Sequence, residues 1–534
     1  MHNNTQMDYP NQRKLVEALC DPRHFPHPAK SVRLLETHIS WILLAGRYAY
    51  KIKKAIDLGF LDFTDLAARR FCCEEEIRLN RRLAPQLYLG VVAIGGSPQR
   101  PAMGIGTAIE YAVRMRRFAS ARQMDLLLAR SLVTPTHIDR LAATLARFHA
   151  ALPSATLDSA YGTAVEILAP VIQNFNQLAP LLDAADKTLL GSLRSASERE
   201  YAACMPWLEQ RRQKGWIREC HGDLHLGNIV LLKDEPTPFD GIEFKAEFRW
   251  IDVMSEIAFL VMDLLDHNRA DLAFRFLNGY LELTGDYAGV KVLRFYLAYR
   301  AMVRAKISAI RAHQQNAQPA QIKDSLAACR SYMALAVTCL ARKQALIITH
   351  GLPGCGKTTV AQVLLERLQA IRIRSDVERK RLFGLTPLQL SCSSIADGIY
   401  STDATQRTYT RLHEIARGLL NAGFPVIVDA AFLKHAEREQ FHQLAREMSV
   451  PFVILNVQAQ ADTLRRRILQ RQEQARDASE ANLAVLDKLQ LAQEKLTEHE
   501  LAHTVEFINE EEPGAIGNQK SWERLEMLAA SLTL

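Results

Sequence analysis

The sequence predicts a mixed α/β chain of two successive domains, an α+β domain over residues 1–342 and a parallel-sheet α/β domain over 343–534. Three observations carry this. A chain of 534 residues is too long for one hydrophobic core. The first third opens with apolar runs of period two broken by turn residues, then passes into long helical stretches. From Ala345 onward, short apolar runs alternate regularly with helical segments, which is the signature of a parallel sheet.

In chain order, residues 1–30 read as a short helix and a loop. Val32–Leu35, His38–Leu44 and Tyr48–Lys53 read as strands, with Ala45-Gly46-Arg47 as a hairpin turn. A helix follows from Leu66 to Leu83, stopped by Pro85. Strands are expected at Leu87–Ile94 and Ala108–Val113, closing a first lobe over about residues 30–113, with a helical lobe from 114 to 340. That second lobe is interrupted by a β region at Ile217–Phe244. Beyond Ala341-Arg342-Lys343-Gln344 come the buried strand Ala345–Thr349 and strands at 371–374, 425–429, 451–456 and 503–507. The linker is not rich in Gly or Ser, so the halves are expected to pack together and not swing freely.

Composition narrows the function classes. A net charge of +7 suits anionic ligands without demanding a nucleic acid. The nine cysteines form no C-x-x-C pair, which argues against disulfide or zinc frameworks and fits a reducing cytoplasm. The longest apolar run, Ile257–Met262, is short and ends at Asp263, so no membrane span is expected. The polar start Met1-His2-Asn3-Asn4 does not read as a signal peptide.

Gly351-Leu352-Pro353-Gly354-Cys355-Gly356-Lys357-Thr358-Thr359 satisfies G-x-x-x-x-G-K-[ST] between an apolar strand and an amphipathic helix, Val360–Leu368. Glycines let backbone N–H groups turn inward around phosphate oxygens, and the helix N-terminus adds positive potential. Lys357 would reach the β- and γ-phosphates of ATP, and Thr358 would ligate Mg²⁺. Ser375-Asp376-Val377-Glu378-Arg379 follows the second strand. There Asp376 would accept an acceptor hydroxyl's proton and Arg379 would hold an acceptor anion, or Ser375 or Asp376 simply caps the helix. Asp429 ends the strand Val426–Asp429 as a further Mg²⁺ candidate, and Arg467 and Arg471 share a helix face that would close over the phosphoryl group, or else form a solvated basic face.

In the first domain, His221-Gly222-Asp223-Leu224-His225-Leu226-Gly227-Asn228 carries an Asp and an Asn five apart. That spacing lets Asp223 face a hydroxyl acceptor while Asn228 reaches a metal on the ATP phosphates. The strand Tyr48–Lys53 carries Lys51 and Lys53 on the same face. Glu74, Glu75 and Glu76 stand on the helix that follows.

These motifs resemble known families. His221–Asn228 with Ala49-Tyr50-Lys51 resembles the aminoglycoside phosphotransferase and choline kinase superfamily. Gly351–Thr359 with Asp376, Arg379, Asp429 and the arginine helix resembles small P-loop kinases, including gluconate kinase, polynucleotide 5′-kinases and zeta-toxin-like proteins. The whole chain is similar to bacterial fusions of an aminoglycoside phosphotransferase-like domain with an AAA-family P-loop domain. The resemblance implies a bilobal protein-kinase-like fold for the first half and ATP with Mg²⁺ as cofactors. It also implies His221 beside Asp223 in the catalytic loop, Lys51 as the phosphate ligand with Lys53 as the alternate, a glutamate partner among Glu74, Glu75 and Glu76 with Glu76 fitting best, and Glu110 and Ala112 in a hinge that binds adenine. A metal-binding acid is implied in the strand after Asn228; register favours Glu243, with Asp240 next. Asp252 and Glu256 are implied as structural acids behind the loop, and Tyr299, Arg300 and Arg304 as residues near an acceptor pocket.

The leading expectation is therefore an ATP-dependent phosphotransferase with two nucleotide sites acting on small-molecule hydroxyl acceptors. Two alternatives stand beside it. One is a regulatory nucleotide sensor whose first half transfers poorly because Glu243 replaces an Asp. The other is a nucleic-acid 5′-end kinase in the second half, against which no interleaved aromatic and basic platform is visible.

Overall fold

The computed structural model describes residues 7–59, 61–314, 318–391, 399, 401–474, 478–510, 522, 523 and 525. The chain divides into two compact units, residues 1–167 with 209–260, and residues 168–208 with 261–534.

The first unit is built on a six-stranded antiparallel sheet. Its strands are β1 (Val32–Glu36), β2 (Ser40–Ala45), β3 (Tyr48–Lys53), β4 (Tyr88–Ser97), β5 (Arg100–Met103) and β6 (Glu110–Arg116), in spatial order β1-β2-β3-β6-β4-β5. The hairpin of β2 and β3 turns at Gly46, whose φ of +55° and close approach to the Pro28 carbonyl leave no room for a Cβ. Trp41, Leu43, Tyr50, Ile52 and Ala112 are buried on one face with Leu15 and Val16 of the Tyr9–Ala18 helix. The Leu66–Asn80 helix, capped by Asp65, packs on the other face through Cys73 and Ile77. It stops three residues short of the expected Leu83, and β5 and the Tyr9–Ala18 helix frame a sheet one strand larger than expected. A further small sheet pairs β7 (Ile217–Glu219) with β10 (Trp250–Asp252). Between them, β8 (Ile229–Leu232) and β9 (Glu235–Pro238) form a hairpin.

The second unit holds a five-stranded parallel sheet of β11 (Leu346–His350), β12 (Ile371–Arg374), β13 (Val426–Asp429), β14 (Phe452–Gln458) and β15 (Thr504–Ile508), ordered β12-β13-β11-β14-β15. The strand following the glycine loop's helix, β12, lies two places from β11, so β13 and β14 flank the central strand. β11 and β13 are wholly buried, as expected of a sheet covered on both faces. The boundary read from sequence at 342/343 lies inside this unit. Helices Ala270–Thr284, Val290–Ala312 and Pro319–Leu340, which precede that boundary, belong to the same unit as the parallel sheet. Among the described residues no helix is long and apolar enough to cross a membrane.

Candidate active sites

The first site is organised by two lysines on β3. Residues 51 and 53 point to one side of the strand, and both meet Glu76 from the Leu66–Asn80 helix. Lys51 Nζ lies 3.0 Å from Glu76 Oε1 and also pairs with Asp240. Lys53 pairs with the other Glu76 oxygen and with Glu243. Burial alone would favour a neutral Lys51. The carboxylates of Asp240, Glu76 and Glu243 outweigh it and hold its pKa well above the usual value, so the ammonium is fixed. Neighbouring Glu74 and Glu75 face Arg70 and Arg78 instead.

The two candidate metal acids separate here. Glu243 is 4% exposed and committed to the buried Lys53. Asp240 is 41% exposed, and it is close enough to Asp223 to feel its charge. The register that favoured Glu243 does not hold along this stretch: β9 ends at Pro238, and Asp240 takes a left-handed φ of +63°, which breaks the two-residue alternation. Tyr88 and Asn80 fix this turn, since Asp240 N donates to the Tyr88 hydroxyl at 3.0 Å and Gly241 N to Asn80 Oδ1 at 2.8 Å.

The catalytic-loop candidates sit together. Asn228 Nδ2 donates to the Asp223 carbonyl at 3.0 Å and to its carboxylate at 2.9 Å. Asp223 is 39% exposed and has His225 Nε2 at 3.5 Å. His221 is buried, with Nε2 against the Phe239 carbonyl at 2.8 Å and Nδ1 accepting from Asp223 N at 3.3 Å. Its place is to shape the loop, not to face an acceptor. Gly222 has φ +87°, and a Cβ there would meet the Phe248 carbonyl at 2.7 Å.

Behind the loop, Glu256 accepts the N–H of His221 at 3.0 Å and of Gly222 at 2.7 Å, with His149 Nε2 at 3.3 Å. Burial pushes this carboxyl up, but hydrogen bonding and charge from His149, then His221, win and hold it down at about 2. A depressed folded-state pKa gives stability that is complete above the ordinary value of 4.5 and is lost as pH falls through about 2. The shift corresponds to about 3 kcal/mol. Glu256→Gln is expected to flatten the fall of denaturant midpoint between these pH values; an unchanged acid limb would contradict the clamp. Asp252, the other acid behind the loop, is paired with Arg211 at 2.7 Å.

Glu110 and Ala112 are not at a hinge. Both lie in β6, the strand between β3 and β4, and Ala112 is in register with Ile52 on one side and Val92 on the other. Its backbone is used by the sheet and its side chain is fully buried, leaving no free edge for a base. Glu110 is buried on Arg69 Nε at 3.0 Å and Gln12 Nε2 at 2.8 Å. The chain leaves the sheet only after Arg116, through Arg117, Phe118 and Ala119.

In the second unit the glycine loop runs from β11 to the Lys357–Leu368 helix. Gly351, Gly354 and Gly356 have φ of +144°, +86° and +94°. Cβ atoms there would stand 2.3 Å from the Val457 carbonyl, 2.8 Å from the Leu464 carbonyl and 2.0 Å from Asn509 Nδ2. Gly356 is the helix N-cap and supplies no side-chain cap, so the N–H groups of Lys357 and Thr358 are turned to an anion, while Thr359 N donates to the Gly356 carbonyl at 3.0 Å. Lys357 Nζ folds over the loop, donating to the Gly351 and Leu352 carbonyls at 2.8 and 2.9 Å. Cys355 is buried, and its carbonyl accepts from Asn509 Nδ2 at 2.9 Å.

Asp429 ends β13 beside this loop, 5% exposed, and its Oδ2 makes no hydrogen bond. Burial pushes its pKa up, against Arg374, Arg372 and the Thr358 hydroxyl, which lower it. A buried carboxylate oxygen left open beside a hydroxyl is a donor set that fits a hydrated Mg²⁺. Arg467 Nη1 donates to the Asn509 carbonyl at 3.0 Å and would stand 3.9 Å from a Cβ at Gly356, which puts it against the loop. Arg471, one turn on, donates to the Ala481 carbonyl at 3.0 Å. Asp376 lies half-buried in the first turn of the Ser375–Leu382 helix. Neither it nor Ser375 is the cap, a position held by Arg374. Arg379 departs from the expected role: it is buried, donating to the Ile399 carbonyl at 2.9 Å and to Thr405 Oγ1 at 3.1 Å. Asn509 was invisible in the sequence, because only the fold brings it back to the loop.

These two halves define a chain that joins a kinase-like phosphotransferase domain to a P-loop domain. Residues 73–293 match the phosphotransferase enzyme family model, and residues 346–496 match an AAA domain model. Uncharacterized protein Rv2004c of Mycobacterium tuberculosis is 31% identical over 84% of this chain and 88% of its own length, and the chain belongs to that two-domain family. Among solved structures, amicoumacin kinase hAmiN, in complex with AMP-PNP, Ca²⁺ and Ami, is 14% identical, covering 63% of this chain and 96% of its own with a TM-score of 0.39. A gluconokinase from Sinorhizobium meliloti 1021 is 18% identical, covering 36% and 95%, with a TM-score of 0.25.

Proposed function

We propose that the protein is an ATP-dependent phosphotransferase with two nucleotide sites, each passing the γ-phosphoryl group to a hydroxyl acceptor. The observation that carries this is the Lys51 ammonium, held between Glu76 and the half-exposed Asp240 in the same unit as the half-exposed Asp223 carboxylate. Mg²⁺-bound ATP supplies a transferable phosphoryl group with its charge neutralised. At the first site Lys51 binds the α- and β-phosphates, and Asp240 with Asn228 holds the metal. Asp223 orients the acceptor and takes its hydroxyl proton as the new O–P bond forms and the bond to ADP breaks. Arg117–Ala119, the stretch that leaves β6, is the adenine-binding segment in this reading. At the second site the glycine loop and Lys357 hold the phosphates, and Thr358 with Asp429 holds the metal. Arg467, and Arg471 behind it, provide positive charge over the γ-phosphate, and Asp376 serves the acceptor.

The sensor alternative rested on Glu243 standing where an Asp is expected. With Asp240 against Lys51, that premise is weaker, and transfer is favoured. The test is ADP release against a panel of sugars, nucleosides, amino alcohols and 5′-hydroxyl oligonucleotides, with wild type beside Asp223→Ala and Lys357→Ala. Acceptor-dependent release lost in one variant and kept in the other is expected. Release that ignores every acceptor and both substitutions would contradict the reading, and a response to oligonucleotides alone would assign the second site to nucleic-acid ends.

A further inference from the structure

β12 is the edge of the parallel sheet, yet its edge is closed by a helix from the phosphotransferase half. Asn278, on the Ala270–Thr284 helix, imitates a neighbouring strand: its Nδ2 donates to the Ala370 carbonyl at 2.9 Å, and its Oδ1 accepts from Arg372 N at 2.7 Å. One turn later on the same face is Glu282. Its carboxylate takes Arg374 Nη1 at 2.8 Å and Arg372 Nη2 at 3.2 Å, and its carbonyl accepts from Arg381 Nη2 at 2.6 Å. The helix ends just beyond, at Gly285, whose φ of +72° and closeness to the Arg381 guanidinium suit no side chain.

These two arginines border the second nucleotide site. Arg372 Nη1 donates to the Thr358 carbonyl at 3.3 Å. Arg374 is in register with Asp429, and its Nε stands 3.9 Å from Asp429 Oδ2, the buried oxygen that makes no hydrogen bond. Two carboxylates thus compete for one guanidinium, and Glu282 has it. A movement of about 1 Å would bring Arg374 into a charge-assisted hydrogen bond with Asp429. The oxygen needed for the metal would then be occupied by an arginine.

We propose that Glu282 is a positioning residue of the second nucleotide site: by holding Arg374 and Arg372 it keeps Asp429 open for Mg²⁺. This rests on the reading of that site as a Mg²⁺-nucleotide site. It makes the site a product of both halves of the sequence, since its charge balance depends on a residue lying 61 positions before the proposed 342/343 boundary's far side at 343.

The experiment titrates the full-length protein with a non-hydrolysable ATP analogue, in Mg²⁺ and in EDTA, following the binding event that Lys357→Ala removes. Wild type should bind more tightly with Mg²⁺. Glu282→Gln should lose about tenfold of that Mg²⁺ enhancement, the worth of one charge-assisted hydrogen bond, with affinity in EDTA nearly unchanged. Adding Arg374→Gln to Glu282→Gln should restore the enhancement, which a merely structural role for Glu282 would not allow. Arg374→Gln alone, informative even where Glu282→Gln fails to fold, should keep it at or above the wild-type level. Full enhancement in Glu282→Gln, no rescue in the double variant, or loss in Arg374→Gln would each overturn the inference. No Lys357-dependent, Mg²⁺-enhanced binding in wild type would overturn the second-site reading, and the inference with it.

Discussion

Asp223→Asn is expected to cut acceptor turnover at the first site by about 10²- to 10⁴-fold, the range for a positioned general base. Nucleotide affinity should change little, because the proposed role of this carboxylate is toward the acceptor, and the proposed nucleotide ligands are Lys51 and Asp240. The geometry makes the variant clean. Asn228 Nδ2 bonds both the Asp223 carbonyl and its carboxylate, so the loop keeps the carbonyl contact when the side chain is neutralised. Gly222 and His221 remain clamped by Glu256. Steady-state kinetics with an acceptor returned by the ADP-release panel checks this as a fall in kcat beside an unchanged dissociation constant for ATP. Turnover within a few-fold of wild type would remove Asp223 from the chemistry.

Lys357→Ala is expected to abolish measurable nucleotide binding at the second site, a loss of about 100-fold or more, since its ammonium would make charge-assisted hydrogen bonds to two phosphates. Without nucleotide, Lys357 Nζ is satisfied by the Gly351 and Leu352 carbonyls, so its loss leaves no buried charge unpaired. Thermal unfolding of the ligand-free variant should therefore stay close to wild type while the shift produced by ATP at this site disappears. A variant that unfolds well below wild type without ligand would point to a structural lysine.

The parts of both sites that were legible in the sequence are those encoded locally. Gly351–Thr359 is contiguous, and its glycines answer to carbonyls and an amide that crowd the backbone. His221–Asn228 is likewise contiguous, and the Asp–Asn contact falls within it. Lys51 and Lys53 share a strand face by the two-residue period, and of three successive glutamates only Glu76 meets Lys51, while Glu74 and Glu75 meet Arg70 and Arg78. Counting failed where the backbone changed its period. The left-handed Asp240 breaks the register by which Glu243 was preferred, and β6 continues to Arg116, with Arg114 and Arg116 concealing its extension, so Glu110 and Ala112 lie inside the strand. Arg379 looked like an anion clamp because its carbonyl and hydroxyl partners lie 20 and 26 residues away. Asn509 and Glu282 had no local signal at all; each matters only because the fold returns it to a loop or an edge strand.

The central claim is two independent nucleotide sites on one chain. Calorimetric titration of the full-length protein with a non-hydrolysable ATP analogue and Mg²⁺ tests it most directly. The account predicts two analogue molecules bound per chain, one in Lys357→Ala, with the remaining site keeping its wild-type affinity. A stoichiometry of one in the wild type, unchanged by Lys357→Ala, would contradict it.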